Sequence, residues 1–176
     1  MHSLSRRSRL AYLVLLHAAF ALFARGVAAQ AAERVVRSAP VAALAFEVGL
    51  AGEEAFLQSL RVTATFTVEG REQVILSMPA WTPGSYEIAD FARHVSAFTA
   101  TQGGRALRWD KLDPDTWRVI PTGRGEVKLE YRVRADTLDN AGAWTRQDFG
   151  FFNGTTVFLA VEGRPETPAS VRIRTE

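Results

Sequence analysis

From Leu44 onward, apolar residues recur at every second position. Leu44, Phe46, Val48 and Leu50 alternate with polar or small neighbours, and Leu60, Val62, Ala64, Phe66 and Val68 alternate with Arg61, Thr63, Thr65 and Thr67. Val127, Leu129, Tyr131 and Val133 do the same against Lys128, Glu130, Arg132 and Arg134. A period of two places one face of a strand on a core and the other in water, and it is incompatible with a packed helix. Further β-rich runs lie at Val74–Met78, Thr116–Ile120, Thr155–Val161 and Ser170–Thr175. Short strands separated by glycine- and proline-marked turns predict an all-β chain, an antiparallel sandwich or a saddle-like sheet.

The punctuation agrees. Gly103-Gly104 suits a tight connection that needs positive φ, and Asp113-Pro114-Asp115 opens a turn. Thr122 to Gly125 reads as a hairpin joining Trp117–Ile120 to Val127–Val133. Glu53–Gln58 is the short helical turn of the first half. Tyr86–Val95 is either a helical turn or a loop. Thr137–Phe149 has no period and reads as a loop.

The first 29 residues obey different rules. Arg6, Arg7 and Arg9 precede an apolar run from Leu10 to Ala24, and the small residues Val27 and Ala29 follow. This is the three-part plan of a secretory signal, with cleavage expected after Ala29 and a linker over 30–40. The apolar run is shorter than a bilayer span requires, which disfavours an uncleaved anchor. Ser5-Arg6-Arg7 hints at twin-arginine export. The leader holds four Arg and no acid, so its removal turns the formal +2 of the chain into −2. The high overall pI is therefore a property of the leader, and no basic run is left to follow a phosphate backbone. The mature domain, 41–176, is expected to be exported, periplasmic or secreted. It should bind neither nucleic acid nor membrane.

Candidate chemistry is sparse. The chain has no cysteine, which removes disulfides and thiolate sites, and beyond the leader the sole histidine is His94. His94 with Asp90 could hold one edge of an ion, but catalytic zinc needs three protein ligands. A triad would have to run through His94, with Ser85 or Ser96 and Asp90; Gly84-Ser85-Tyr86 lacks the second glycine of a nucleophile elbow. Asp113 and Asp115 read as a turn rather than a calcium loop. No phosphate-cradling glycine motif occurs, and no two of the acids are marked as a glycosidase pair. Asn153-Gly154-Thr155 reads as a turn despite its sequon form. Trp81, Tyr86, Trp109, Trp117 and Trp144 could line a sugar platform or simply pack.

The segment that stands out is Met78-Pro79-Ala80-Trp81-Thr82-Pro83-Gly84-Ser85-Tyr86. Pro83-Gly84 suits the centre of a type II turn, giving a rigid corner flanked by two aromatics. With Asp90-Phe91-Ala92-Arg93, this string resembles the hallmark of the N-terminal domain of the glycyl aminopeptidase family, metallopeptidase family sixty-one. Lys111–Trp117 and Phe151-Phe152-Asn153-Gly154-Thr155 with Val157-Phe158-Leu159 are similar to later family segments. Thr137–Phe149 departs from the family's shorter Arg-bearing stretch.

The resemblance runs from about Val41 to the end. It implies a non-catalytic β domain followed, in a parent enzyme, by a thermolysin-like domain with a His-Glu-x-x-His zinc motif and by a PDZ domain. This chain holds no such motif, so no zinc ligand or catalytic residue is carried over, and no cofactor is expected in the chain itself. Zinc and a peptide substrate with a small N-terminal residue belong to the parent by resemblance. Trp81, Thr82, Pro83, Gly84, Ser85 and Tyr86 form the candidate interdomain or cleft loop. The strand at Ser170–Thr175 suggests a chain cut short, in which case one sheet face should expose apolar residues. The alternative is a standalone secreted sandwich that binds carbohydrate or protein.

Overall fold

A computed structural model describes residues 37–82, 87–139 and 141–175. The expected signal and its cleavage point after Ala29 therefore lie outside the described residues, as do most of the linker and the corner Pro83–Tyr86. Among the described residues no helix is long and apolar enough to cross a membrane.

Among the described residues, twelve strands build three sheets. They are β1 (Ala42–Gly49), β2 (Ser59–Val68), β3 (Val74–Ser77), β4 (Val95–Gln102), β5 (Arg105–Ala106), β6 (Arg108–Asp113), β7 (Thr116–Ile120), β8 (Gly125–Arg134), β9 (Ala143–Thr145), β10 (Gly150–Phe152), β11 (Ala160–Val161) and β12 (Ala169–Arg174). One sheet has six strands in the order β12-β1-β2-β8-β4-β5, a second has four in the order β11-β3-β7-β6, and β9 with β10 forms a ribbon. The all-β expectation stands. One pair departs from antiparallel: β1 and β12 run parallel.

Alternation is read out as burial. In β2 the side chains of Leu60, Val62, Ala64, Phe66 and Val68 are buried, while Arg61 is exposed and Thr63, Thr65 and Thr67 lie between. β8 buries Val127, Leu129, Tyr131 and Val133 and pairs with β2 from Ser59↔Arg134 to Val68↔Gly125 without a slip. The four-stranded sheet adds Val74, Leu76, Trp117, Val119 and Val161 to the same core. Phe98 of β4 stacks on Trp117 of β7 at 5.8 Å between ring centroids, joining the two sheets. Burying a side chain of this size contributes about 1.5–3 kcal/mol over leaving it in water.

Three expectations change. Thr122–Gly125 is not a hairpin: β7 pairs with β3 and β6, β8 with β2 and β4, so this link carries the chain from one sheet to the other. The alternation in both strands is satisfied because each faces the shared core, and alternation alone does not say whether two strands pair. Thr155–Val161 is mostly not strand. Asn153 Oδ1 accepts from the Thr155 N–H at 3.0 Å and starts a 3-10 turn over Gly154–Thr156, leaving only Ala160–Val161 to pair. Thr137–Phe149 is not wholly loop, because Ala143–Thr145 forms β9 against β10. A three-residue strand is too short to show a period.

The remaining turns follow the sequence. Gly103 (φ 56°) and Gly104 (φ 74°) link β4 to β5 with both residues left-handed, as a two-residue hairpin turn requires. The Asp115 N–H donates to Asp113 Oδ1 at 2.9 Å, a side-chain turn. The short helix α1 covers Glu53–Phe56, and Phe91–His94 is a 3-10 turn.

Candidate functional site

The segment between β3 and β4 leaves the sandwich at Met78 and returns at Val95. Met78 is buried, and its N–H donates to the Asp115 carbonyl at 3.0 Å, fixing the exit to the β6–β7 turn. The neck of the loop is closed at Ala80, whose carbonyl accepts from the Ala89 N–H at 2.8 Å and the Asp90 N–H at 3.2 Å. Trp81 and Thr82 lie beyond this clasp. Thr82 is buried, but Trp81 is 49% exposed and Ile88 is 75% exposed. Among the described residues of this loop, the neck is closed by these two hydrogen bonds, and two large apolar side chains beyond it or at it are about half exposed or more. Pro83, Gly84, Ser85 and Tyr86 lie outside the described residues.

The returning limb is anchored by Asp90, which takes a left-handed conformation (φ 46°, ψ 57°). Aspartate tolerates this better than a branched residue. The turn buries Phe91 and Ala92 and lays Arg93 and His94 along a groove. The opposite wall comes from the end of β8 and the segment after it, with Arg134, Asp136, Thr137 and Asp139, and Thr156 also lines it. The groove holds about 120 Å³, below the roughly 300–1,000 Å³ of a small-molecule site. It is therefore not a substrate cavity on its own.

The electrostatics of the groove are set by two guanidiniums. Arg134 pairs with Asp136 at 3.3 Å, and Arg93 Nε donates to His94 Nε2 at 3.2 Å. Burial, then Arg134, then Arg93 hold His94 below its ordinary value of 6.5, against the opposing pull of Asp136. The imidazole is thus neutral near pH 7, with one nitrogen already occupied as an acceptor. It is a poor metal ligand, since the same cations that disfavour its proton disfavour a metal ion. Among the described residues no group of three His, Asp or Glu is placed to share an ion. Asp136, rather than Asp90, is the carboxylate felt by His94.

Trp117 is fully buried against Phe98, Trp109 packs edge-on to Phe98 at 4.7 Å, and Trp144 lies under the Arg146 guanidinium at 4.9 Å. Trp117 is unavailable to any ligand. Asp115 lies beside the loop exit with its carboxyl raised above the usual range by burial, then by Asp90 and Asp113. Arg134, Asp136 and Asp139 escaped the sequence reading because they become neighbours of His94 only when β8 pairs with β4. The one sequence signal was the break in alternation after Arg134.

A family model described as the peptidase M61 N-terminal domain matches residues 53–176. Among solved structures, an aminopeptidase N family protein from Idiomarina loihiensis is 29% identical with a TM-score of 0.65, over 74% of this chain and 22% of that one. An M1 zinc metallopeptidase from Deinococcus radiodurans is 19% identical with a TM-score of 0.46, over 78% of this chain and 32% of that one. The chain thus spans about a fifth to a third of the length of these relatives. No match was found among curated proteins.

Proposed function

Because the chain belongs to the peptidase M61 N-terminal domain family, we propose that it is the non-catalytic β domain of an exported zinc aminopeptidase-like protein. The observation that carries this reading is the family match over 53–176, on a sandwich that shares its fold with a segment of an aminopeptidase N family protein. In this reading the domain packs on a thermolysin-like domain that carries zinc, with a PDZ domain beyond it, and the substrate is a peptide. Among the described residues no donor set fits zinc, and in this reading the domain shapes a cleft. The loop from Trp81 to Tyr86 contacts the catalytic domain or the cleft, with Trp81 as the exposed apolar anchor and the Ala80 clasp as its rigid base. Residues 1–29 direct export, and the mature N-terminus is Gln30.

The gene decides the main claim. An open frame past the Glu176 codon that encodes His-Glu-x-x-His within about one domain length is the expected result. A stop codon at that point overturns the packing claim. The purified 176-residue chain should leave a glycyl-amide substrate intact; hydrolysis that ignores chelators would assign activity to this domain and refute the non-catalytic role. N-terminal sequencing of the exported product should begin at Gln30, and a retained Met1 would refute cleavage.

A further inference from the structure

The two large sheets have four edges, and three are blunted. β5 and β11 are two residues long. β6 is longer, but it slips register between Lys111 and Asp113 and carries Arg108, Asp110, Lys111 and Asp113. These are the ordinary defences against unwanted pairing. β12 is longer than β5 and β11 and, unlike β6, keeps its register, and its two charges, Arg172 and Arg174, are of one sign. It runs in unbroken register with β1 from Leu44↔Ala169 to Gly49↔Arg174, without proline, lysine or bulge, and all six of its residues are exposed.

Its two faces differ. Val171 and Ile173 sit opposite Phe46 and Val48, which point into the core. Yet Val171 and Ile173 are 50% and 52% exposed while Phe46 and Val48 are 5% and 0%. The apolar core therefore continues to an edge that nothing covers among the described residues. The Arg174 carbonyl accepts from the Leu50 N–H at 3.1 Å, so the polar groups of Arg174 face β1. Backbone direction alternates along a strand, so the N–H and C=O groups of Val171 and Ile173 point to the open edge. On the outer face Arg172 and Arg174 stand beside Glu47. Arg174 pairs with that carboxylate at 2.9 Å, and Arg172 and Lys128 add to the positive field that lowers its pKa. Lys128 has its own partner in Glu130 at 3.0 Å, so Glu47 is the carboxylate that serves the two arginines of β12.

We propose that the free edge of β12 accepts one further strand, an extended segment alternating apolar with acidic residues. It is supplied by the polypeptide on which this domain packs, and this inference rests on the function proposed above. The apolar residues would continue the core past Val171 and Ile173, and the acidic ones would meet Arg172 and Arg174. A second copy is a worse occupant, because pairing β12 with its own image places both sets of arginines on one face, where like charges destabilise.

The test uses the 176-residue chain with two synthetic peptides, one alternating Val and Glu, the other Val and Lys. Amide exchange at Val171 and Ile173 should slow by about tenfold or more, equivalent to about 1.4 kcal/mol, with the Glu peptide and not with the Lys peptide. Arg172→Glu should reverse that preference. Unchanged exchange with both peptides, or equal protection by both, overturns the proposal. Concentration-dependent dimerisation that protects the same amides would assign the edge to a second copy and also overturn it. The peptide experiment needs no catalytic domain, so its failure leaves the enzyme reading standing. A stop codon after Glu176 would remove the proposed source of the strand while peptide binding at the edge could still be observed.

Discussion

The centre of the six-stranded sheet and the loop between β3 and β4 are built on opposite plans. β2 and β8 pair over ten residues without a slip, and their inward side chains are buried against the second sheet. Among its described residues, the loop from Met78 to His94 is held by the hydrogen bond from the Met78 N–H to Asp115, the two hydrogen bonds accepted by the Ala80 carbonyl and the burial of Met78, Thr82, Phe91 and Ala92. Among the same residues, Trp81 and Ile88 remain largely exposed. The contrast separates a region that stores stability from one that leaves large apolar side chains exposed, and substitutions should sort accordingly.

The largest effect should come from Trp117→Ala, which empties the stack on Phe98. We expect a loss of about 3–5 kcal/mol, read by urea unfolding; a loss below about 1 kcal/mol would show that the core does not depend on the inter-sheet stack. Leu129→Ala, at the middle of β8, should cost about 2–5 kcal/mol by the same assay. Tyr131→Phe is a finer probe. The buried phenol donates to the Val157 carbonyl at 2.8 Å, and burial raises its pKa so that it stays neutral. Removing the donor leaves a buried carbonyl unpaired and should cost about 1–3 kcal/mol.

On the loop the expected sizes shrink. Trp81→Ala should change stability by less than about 1 kcal/mol, since half of the side chain is already in water. A core-sized loss there would erase the distinction between the two regions. His94→Gln should be nearly silent at pH 8 but alter the pH dependence. His94 is held below 6.5 in the folded chain, so the unfolded chain binds a proton that the folded one refuses. Stability therefore falls as pH drops through about 6.5, and the substitution should flatten that fall in thermal melts between pH 7.5 and 5.5. An unchanged slope would show that the groove does not hold His94 neutral.

The sequence was most legible where each residue speaks for itself. Alternation located β2 and β8, and paired glycines located the β4–β5 turn, because burial and positive φ are properties of single positions. It was least legible where neighbours decide. β1 slips against β2 between Ala42 and Ala45, and β4 against β8 between Ser96 and Thr99. At those slips Ala43 (φ 52°) and Ala97 (φ 51°) take a left-handed backbone with no glycine to announce it. The partition of β7 and β8 between two sheets was equally hidden, since both show the same inward pattern. At the candidate site, the Trp81 loop is proposed from its residues. Its clasp at Ala80 and the Arg134–Asp136 wall of the groove could not be read that way, because they depend on pairings distant in the chain.

The parallel pairing of β1 with β12 has a consequence in time. Leu44 lies beside Ala169, so β1 finds one of its two partners only when β12 has been made. A chain that emerges from its N-terminus can zip β2 and β4 onto the two flanks of β8 beforehand, but one flank of β1 must wait. Contacts of such long separation are slow to close. Until they do, the half-formed sheet offers β1 to any passing strand, which makes the interval before residue 174 appears the period of greatest risk of misassembly.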